Sequence, residues 1–284
     1  MSPKITAYGG SPQGQDIDVA RFILETTSAP WVPGEVVSSL TGWMEGTPQA
    51  LTSTARTVLE GAASGSTIVT TAPGPLTLAM AARAAAHPAY RTHLALDALV
   101  SWIARHRADV ESVRDDVEML VVLDEPALAA FAPDAGDVDR YRQVAVSTLT
   151  AIVDRSPLPI VIRASEDTDW SVVAEAAPAF VGWNVTELGF GFDQHIDEVA
   201  KAIGNGMGVM WGVASVEPAP QGSDDVTLNR YRTAFAKLIV AGAPIRAIRE
   251  DAWFVPNGSM ERLGVDRARR VMGTVREIAE EADD

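Results

Sequence analysis

The sequence predicts an α/β protein built as a single (β/α)8 TIM barrel spanning residues 1–284. Three observations carry this. Short apolar or β-branched runs alternate with amphipathic stretches from one end to the other. The most apolar run, residues 119–123 (MLVVL), offers no polar side to solvent, as expected of a parallel strand covered on both faces. No change of composition marks a linker, and 284 residues suffice for one large α/β core. A doubly wound open sheet is the alternative, but neither a G-x-G-x-x-G nor a G-x-x-x-x-G-K-[ST] pattern supports it.

The elements follow in order. Residues 5–8 read as a short strand, closed by Gly9-Gly10-Ser11-Pro12. Residues 16–24 read as a helix with Val19, Phe22 and Ile23 on one face. Residues 30–48 are rich in Pro, Gly and Ser and read as irregular. A β-branched strand at 67–71 leads through Ala72-Pro73-Gly74-Pro75 into a proline-started helix. Leu96, Leu99, Val100 and Ile103 set a helix over 93–106, before the strand at 119–123. Helix 138–153 carries Tyr141, Val144, Ala145, Leu149 and Ile152 on its apolar stripe, and strand 159–162 then reaches Arg163. Strand 180–185, helix 194–203, strand 208–213 and helix 226–240 come next. A last strand falls within 245–255, and Val265, Ala268, Val271, Val275 and Ile278 define a closing helix over 265–281.

Composition removes several functions. A net charge of −15 repels a phosphate backbone, so no nucleic-acid partner is expected. No run of 18 apolar residues exists and the N-terminus lacks the apolar centre of a signal peptide, so the expectation is a cytoplasmic protein without a membrane span. Cysteine is absent, which removes disulfides, thiolate nucleophiles and cysteine-containing zinc sites. His87, His93, His106 and His195 show no ligand spacing and read as surface or packing residues. Nothing in the sequence sets an oligomeric state.

In such a barrel the residues after each strand share one mouth. Asp124-Glu125-Pro126 ends the 119–123 strand abruptly. One reading is a catalytic carboxylate; the other is a cap for the following helix. Gly10 and Ser11 offer backbone and hydroxyl donors for a carboxylate, or simply a tight turn. Arg163, with Ser165 and Glu166 after it, can bind a carboxylate bidentately or pair with a neighbouring strand end. Trp183, Asn184, Thr186 and Glu187 follow the next strand, and Ser215 and Glu217 the one after. Trp253, Pro256, Asn257, Gly258 and Ser259 lie at the last. The two tryptophans could stack on a flat heterocycle, although core packing is the commoner role. The reading from residues is a small-molecule site with catalytic Asp124 and Arg163, and with Gly10, Ser11, Asp124, Glu125, Trp183, Asn184, Trp253 and Asn257 binding substrate.

Gly10-Ser11-Pro12-Gln13, Gly74-Pro75-Leu76-Thr77-Leu78, Asp124-Glu125-Pro126 and Pro256-Asn257-Gly258-Ser259 occur in that order. Together they resemble the catalytic barrel of cobalamin-independent methionine synthase, over almost the whole chain. The resemblance implies a methyltransferase-type enzyme of methionine biosynthesis, acting on a small carboxylate-bearing substrate, with a reduced folate as methyl donor. It also implies a zinc site that this chain does not keep. The positions of the family's fifth-strand ligands fall at Ile162 and Arg163, and the last-strand cysteine at Asn257 or Gly258. Isoleucine cannot ligate and arginine repels a cation, so zinc is not expected. A metal-free decarboxylase or lyase, or a binding protein without turnover, is the alternative.

Overall fold

The computed structural model describes residues 3–7, 9–32, 51–81, 88–130, 138–165, 167–185, 190–217 and 223–283. Tyr8, most of the irregular 30–48 segment, His87, Glu166, Thr186 and Glu187 lie outside the described residues. Strand and helix alternate as the sequence predicts. In order the elements are β1 (Lys4–Ile5), α1 (Asp16–Thr26), α2 (Ser53–Gly61), β2 (Thr67–Pro73), α3 (Pro75–Ala81), α4 (Pro88–Glu111) and β3 (Glu118–Asp124). There follow α5 (Ala127–Ala130), α6 (Val138–Arg155), β4 (Ile160–Arg163), α7 (Trp170–Ala176) and β5 (Phe180–Asn184). The chain continues through α8 (Phe190–Gln194), α9 (Ile196–Gly204), β6 (Gly208–Ala214), α10 (Ser223–Val240), α11 (Ile245–Ile248), β7 (Trp253–Pro256) and α12 (Val265–Asp283).

The strands form one seven-stranded parallel sheet in the order β1-β7-β6-β5-β4-β3-β2. Helical crossovers between parallel neighbours account for this order, since such strands need a long connection that returns over one face. The sheet is curled. Gly9 N–H, just beyond β1, donates to Thr71 Oγ1 on β2 at 3.0 Å, although β1 and β2 are the two ends of the strand order. Residues 28–32 run between these ends. Ser28 and Ala29 N–H donate to Ile5 O, Val69 N–H donates to Pro30 O at 3.0 Å, and Val32 N–H returns to Val69 O at 2.8 Å. Trp31 thereby pairs in parallel with Val69.

Side chains alternate across each strand, and the two faces differ. On β5 and β6, Trp183 stands opposite Trp211 and both turn to the helices, where they meet Trp170, Phe192 and Tyr231. The neighbouring row on the other face runs Asp124, Arg163, Gly182 through paired positions. Aromatic and aliphatic residues fill the space under the helices; a smaller group of Val32, Ala55, Leu59, Ile68 and Met119 packs beneath α2. Among the described residues no helix is long and apolar enough to cross a membrane.

Several expected boundaries move. The helix at 93–106 runs from Pro88 to Glu111, and the one at 226–240 starts at Ser223. The last strand occupies Trp253–Pro256 instead of ending at 255, which changes the role of Trp253.

Candidate functional site

β3 and β4 end together. Asp124 pairs with Arg163 in register, and Arg163 Nη1 donates to Asp124 Oδ1 at 2.8 Å. Its Nη2 donates to the main-chain oxygen of Asn257 at 2.9 Å, tying β4 to the chain after β7. Gly182 on β5 leaves the room that the arginine stem uses, since a Cβ there would stand 3.3 Å from Arg163 Cβ. The side chains are 20% and 41% exposed for Arg163 and Asp124, so the pair faces solvent at the strand ends. A charge pair held this way is preorganised, and Asp124 is the more exposed of the two.

Asn257 is fixed on three sides. Its N–H donates to Ala214 O at 2.8 Å, its Oδ1 accepts Val216 N–H at 3.0 Å, and its carbonyl holds Arg163. Asn184 ends β5 half-buried, opposite Gly212, whose missing side chain admits the Asn184 and Asn257 backbones at 3.3 and 3.4 Å from the position a Cβ would take.

Gly9 and Gly10 do not form an anion-binding turn. Gly9 N–H is taken by Thr71 Oγ1 and Gly10 N–H by Ser259 Oγ, both at 3.0 Å. Gly9 has φ +83° and lies against Ser259, where a Cβ would come within 2.7 Å, so glycine is needed both for the turn and for the close approach. Ser11 is half-buried beside them.

Glu125 does not reach the mouth. It is 0% exposed, and its carboxylate caps the start of α3. Oε1 accepts Leu76 N–H at 2.8 Å; Oε2 accepts Thr77 N–H at 2.8 Å and the Thr77 hydroxyl at 2.6 Å. Pro75 has no N–H to satisfy, so the carboxylate covers the next two amides of the helix. Burial pushes the Glu125 carboxyl up to about 7, against the pull of these three donors, and the nearby Asp124 charge adds to the rise. The expectation that Glu125 binds substrate is corrected: its oxygens are spent on α3. A cap was the alternative reading, but for the following helix; the helix capped is α3, which follows β2.

The tryptophans also leave the site. Trp183 is 2% exposed and packs edge-on against Phe192 and Trp170, with ring centroids 4.9 and 5.7 Å away. Trp253 is the first residue of β7, beside Phe180 and Lys4, which open β5 and β1. Asn257 lies four positions further on, about 13 Å along a strand. Neither tryptophan can stack on a ligand held at Arg163. The structure joins Asp124 to Arg163 and Arg163 to Asn257, sets Asn184 and Asn257 against Gly212, and holds Gly10 on Ser259, while Glu125, Trp183 and Trp253 are buried elsewhere.

The chain matches no protein-family model and no curated protein. Among solved structures it is similar to a dihydrodipicolinate synthase from Oceanobacillus iheyensis, at 13% identity and TM-score 0.46, over 98% of this chain and 75% of that one. It is also similar to a putative dihydrodipicolinate synthetase from Pseudomonas aeruginosa, at 10% identity and TM-score 0.40, over 100% of this chain and 81% of that one. The resemblance to methionine synthase is corrected: no family model matches the chain, and the two solved structures named here are described as dihydrodipicolinate synthases or synthetases. The folate and methyl-transfer expectations fall with it.

The four motifs have a structural reason instead. Gly74-Pro75-Leu76-Thr77 and Asp124-Glu125 are the two halves of the α3 cap. Gly9-Gly10 and Ser259 are the two halves of one turn contact. Sequence reading gave no role to Thr71 or Thr77. Thr71 could have been found as the hydroxyl near the C-terminal end of a β-branched run, whereas Thr77 acts through a partner remote in sequence.

Among the described residues no three His, Cys, Asp or Glu side chains converge as a metal site requires. A groove of about 950 Å³ lies on the outer helix face, between α8–α9 and α10. Its Lys237 and Arg232 pair with Asp193 and Glu281, and it includes none of the strand-end residues.

Proposed function

We propose that the strand ends form a carboxylate-binding site and that the protein is a lyase, working through its own side chains on a small carboxylate-bearing molecule. One observation carries this: a solvent-facing guanidinium, Arg163, is braced by Asn257 and set beside the more exposed carboxylate of Asp124. Arginine in that setting recognises a carboxylate bidentately. Asn184 and Ser11 supply neutral polar contacts at the rim, and Gly10 shapes the turn that carries Ser11.

Asp124 supplies the base for cleavage of a carbon–carbon bond next to a carbonyl. It takes a proton from the departing fragment, whose carbon leaves as a carbonyl. The bond electrons pass into the retained carbonyl system, and Asp124 returns the proton to the carbon left behind. Atoms and electrons balance without an outside oxidant or reductant.

The fold reading is carried further in the same way. Residues 28–32, bonded on both sides, serve as the eighth stave of a closed (β/α)8 barrel, and the chain is one domain. Closure supports the function because it gathers the ends of β3, β4, β5 and β7 around one opening.

The test is calorimetric titration with malonate and a panel of mono- and dicarboxylates, followed by NMR detection of cleavage of hydroxy and oxo acids. Arg163→Ala should weaken binding at least about tenfold, and Asp124→Asn should keep binding but lose turnover. Binding without turnover across the panel would leave a binding protein. No carboxylate binding at all would remove the reading.

A further inference from the structure

We propose that Glu125 is the positioning residue of the Asp124–Arg163 pair: its buried carboxylate fixes the start of α3 and, with it, the peptide that carries Asp124. The inference rests on the carboxylate-site reading for the pair's purpose, and on geometry alone for the coupling.

That geometry closes a loop of bonds around Asp124. The Asp124 carbonyl accepts Gly74 N–H at 2.8 Å, and Gly74 is the residue whose carbonyl starts α3. On the other side, Glu125 N–H donates to Arg163 O at 2.7 Å. The Glu125 side chain then reaches across to Leu76 and Thr77, 49 and 48 positions away in sequence. Thr77 Oγ1 also lies 3.4 Å from Ala127 N, so the Thr77 hydroxyl holds both ends of the Glu125-Pro126-Ala127 stretch. Gly74 lets the two pieces touch: a Cβ there would collide with the Glu125 carboxyl carbon. Asp124 therefore cannot shift unless the turn before α3 and the end of β4 shift too. Loosening the cap frees both anchors of its peptide.

Ionisation can reach the site through this frame. A protonated carboxyl cannot accept from three donors as well as a carboxylate can, because one oxygen then carries a hydrogen that must itself be donated. Among the described residues the charged groups around Glu125 are few. Asp124 shares its strand, and Arg163 lies across on β4. α3 and α5 carry no charged residue. On α6, Arg142 is turned to Asp169 and Glu175, and Asp139 and Arg140 are exposed. Burial pushes the Glu125 carboxyl up to about 7.

The test uses the full chain labelled with ¹⁵N. The Arg163 guanidinium signal, identified by its absence in Arg163→Lys, is followed from about pH 5 to pH 9, a range that brackets the Glu125 carboxyl. In the wild type it should shift with a midpoint near 7, the value for Glu125. Glu125→Gln should lose the midpoint. Thr77→Ser should keep it, and Thr77→Val, which removes a donor to the carboxylate, should move it upward. Thr77→Val keeps both backbone bonds, so it decides the matter even where Glu125→Gln fails to fold. A wild-type signal without a midpoint near 7, the same midpoint in Glu125→Gln, or no difference between Thr77→Val and wild type would each overturn the proposal. Malonate added to the same samples separates the two ideas. A pH response without a malonate response keeps the coupling and removes the carboxylate site; a malonate response without a pH response does the reverse.

Discussion

Replacing Glu125 by glutamine should change the pH dependence of stability in a calculable way. In the fold the Glu125 carboxyl lies at about 7, against an ordinary value of 4.5. The neutral acid is thus the form the fold prefers. The group's contribution is fully present below 4.5 and is lost as pH rises through 7. That span converts to about 3 kcal/mol. Glutamine never ionises, so it does not show this loss. It has a cost of its own at every pH: one oxygen still accepts Leu76 N–H, but an amide NH₂ now meets Thr77 N–H, a mismatch of roughly 1–3 kcal/mol. Urea unfolding of both proteins between about pH 4.5 and pH 8 gives the difference directly, and every other titrating group cancels. The wild-type advantage should shrink by about 3 kcal/mol from the acid end to the alkaline end. A difference that stays constant across the range would show that burial does not raise this carboxyl, and the reasoning would fail.

Three further outcomes follow from the structure. Gly74→Ala drives a methyl into the Glu125 carboxyl and should lower stability by about 2 kcal/mol or more, read as a fall of several degrees in melting temperature. His106 is buried against Trp102, with ring centroids 4.9 Å apart, and burial lowers its pKa from 6.5 to about 4. Its contribution is therefore present above 6.5 and lost as pH falls through 4, about 3 kcal/mol in all; His106→Phe should resist acid unfolding to a lower pH, followed by circular dichroism. Trp183→Ala should cost about 3–5 kcal/mol of stability and leave malonate affinity within about twofold of wild type wherever the variant is folded; a selective loss of binding at unchanged stability would return Trp183 to the site.

The alternation of strands and helices was legible because each strand is buried on both faces and each long helix keeps one apolar stripe. Residues 28–32 were not, because Ser28-Ala29-Pro30 looks like loop, and their strand-like pairing comes from Ile5 and Val69 on either side. α2 escaped because Thr54, Ala55, Val58 and Leu59 give it only a brief buried face, and α7 because it spans only Trp170–Ala176. Asp124 and Arg163 were readable as strand-end residues from position alone, each closing an apolar run. Glu125 was not, since its partners lie on an earlier helix. Trp253 was misplaced by a boundary: shifting the strand to Trp253–Pro256 turns a residue expected at the open end into one at the far end. The motif resemblance failed for a physical reason of the same kind. Four motifs counted as four signals, but two contacts, α3 with Glu125 and Gly10 with Ser259, account for them all.

The cap on α3 also bears on how a nascent chain acquires this shape. α3 spans Pro75–Ala81, too short to persist unaided in water. The carboxylate that covers its first amides belongs to a residue synthesised after the whole of α4 and all of β3. While a ribosome is still making α4, the turn after β2 therefore has sequence but no lid for its amides. It can settle only when β3 arrives alongside β2 and delivers Glu125 to it. β2, α3, α4 and β3 should accordingly become resistant to protease together, in one step, rather than in the order they emerge.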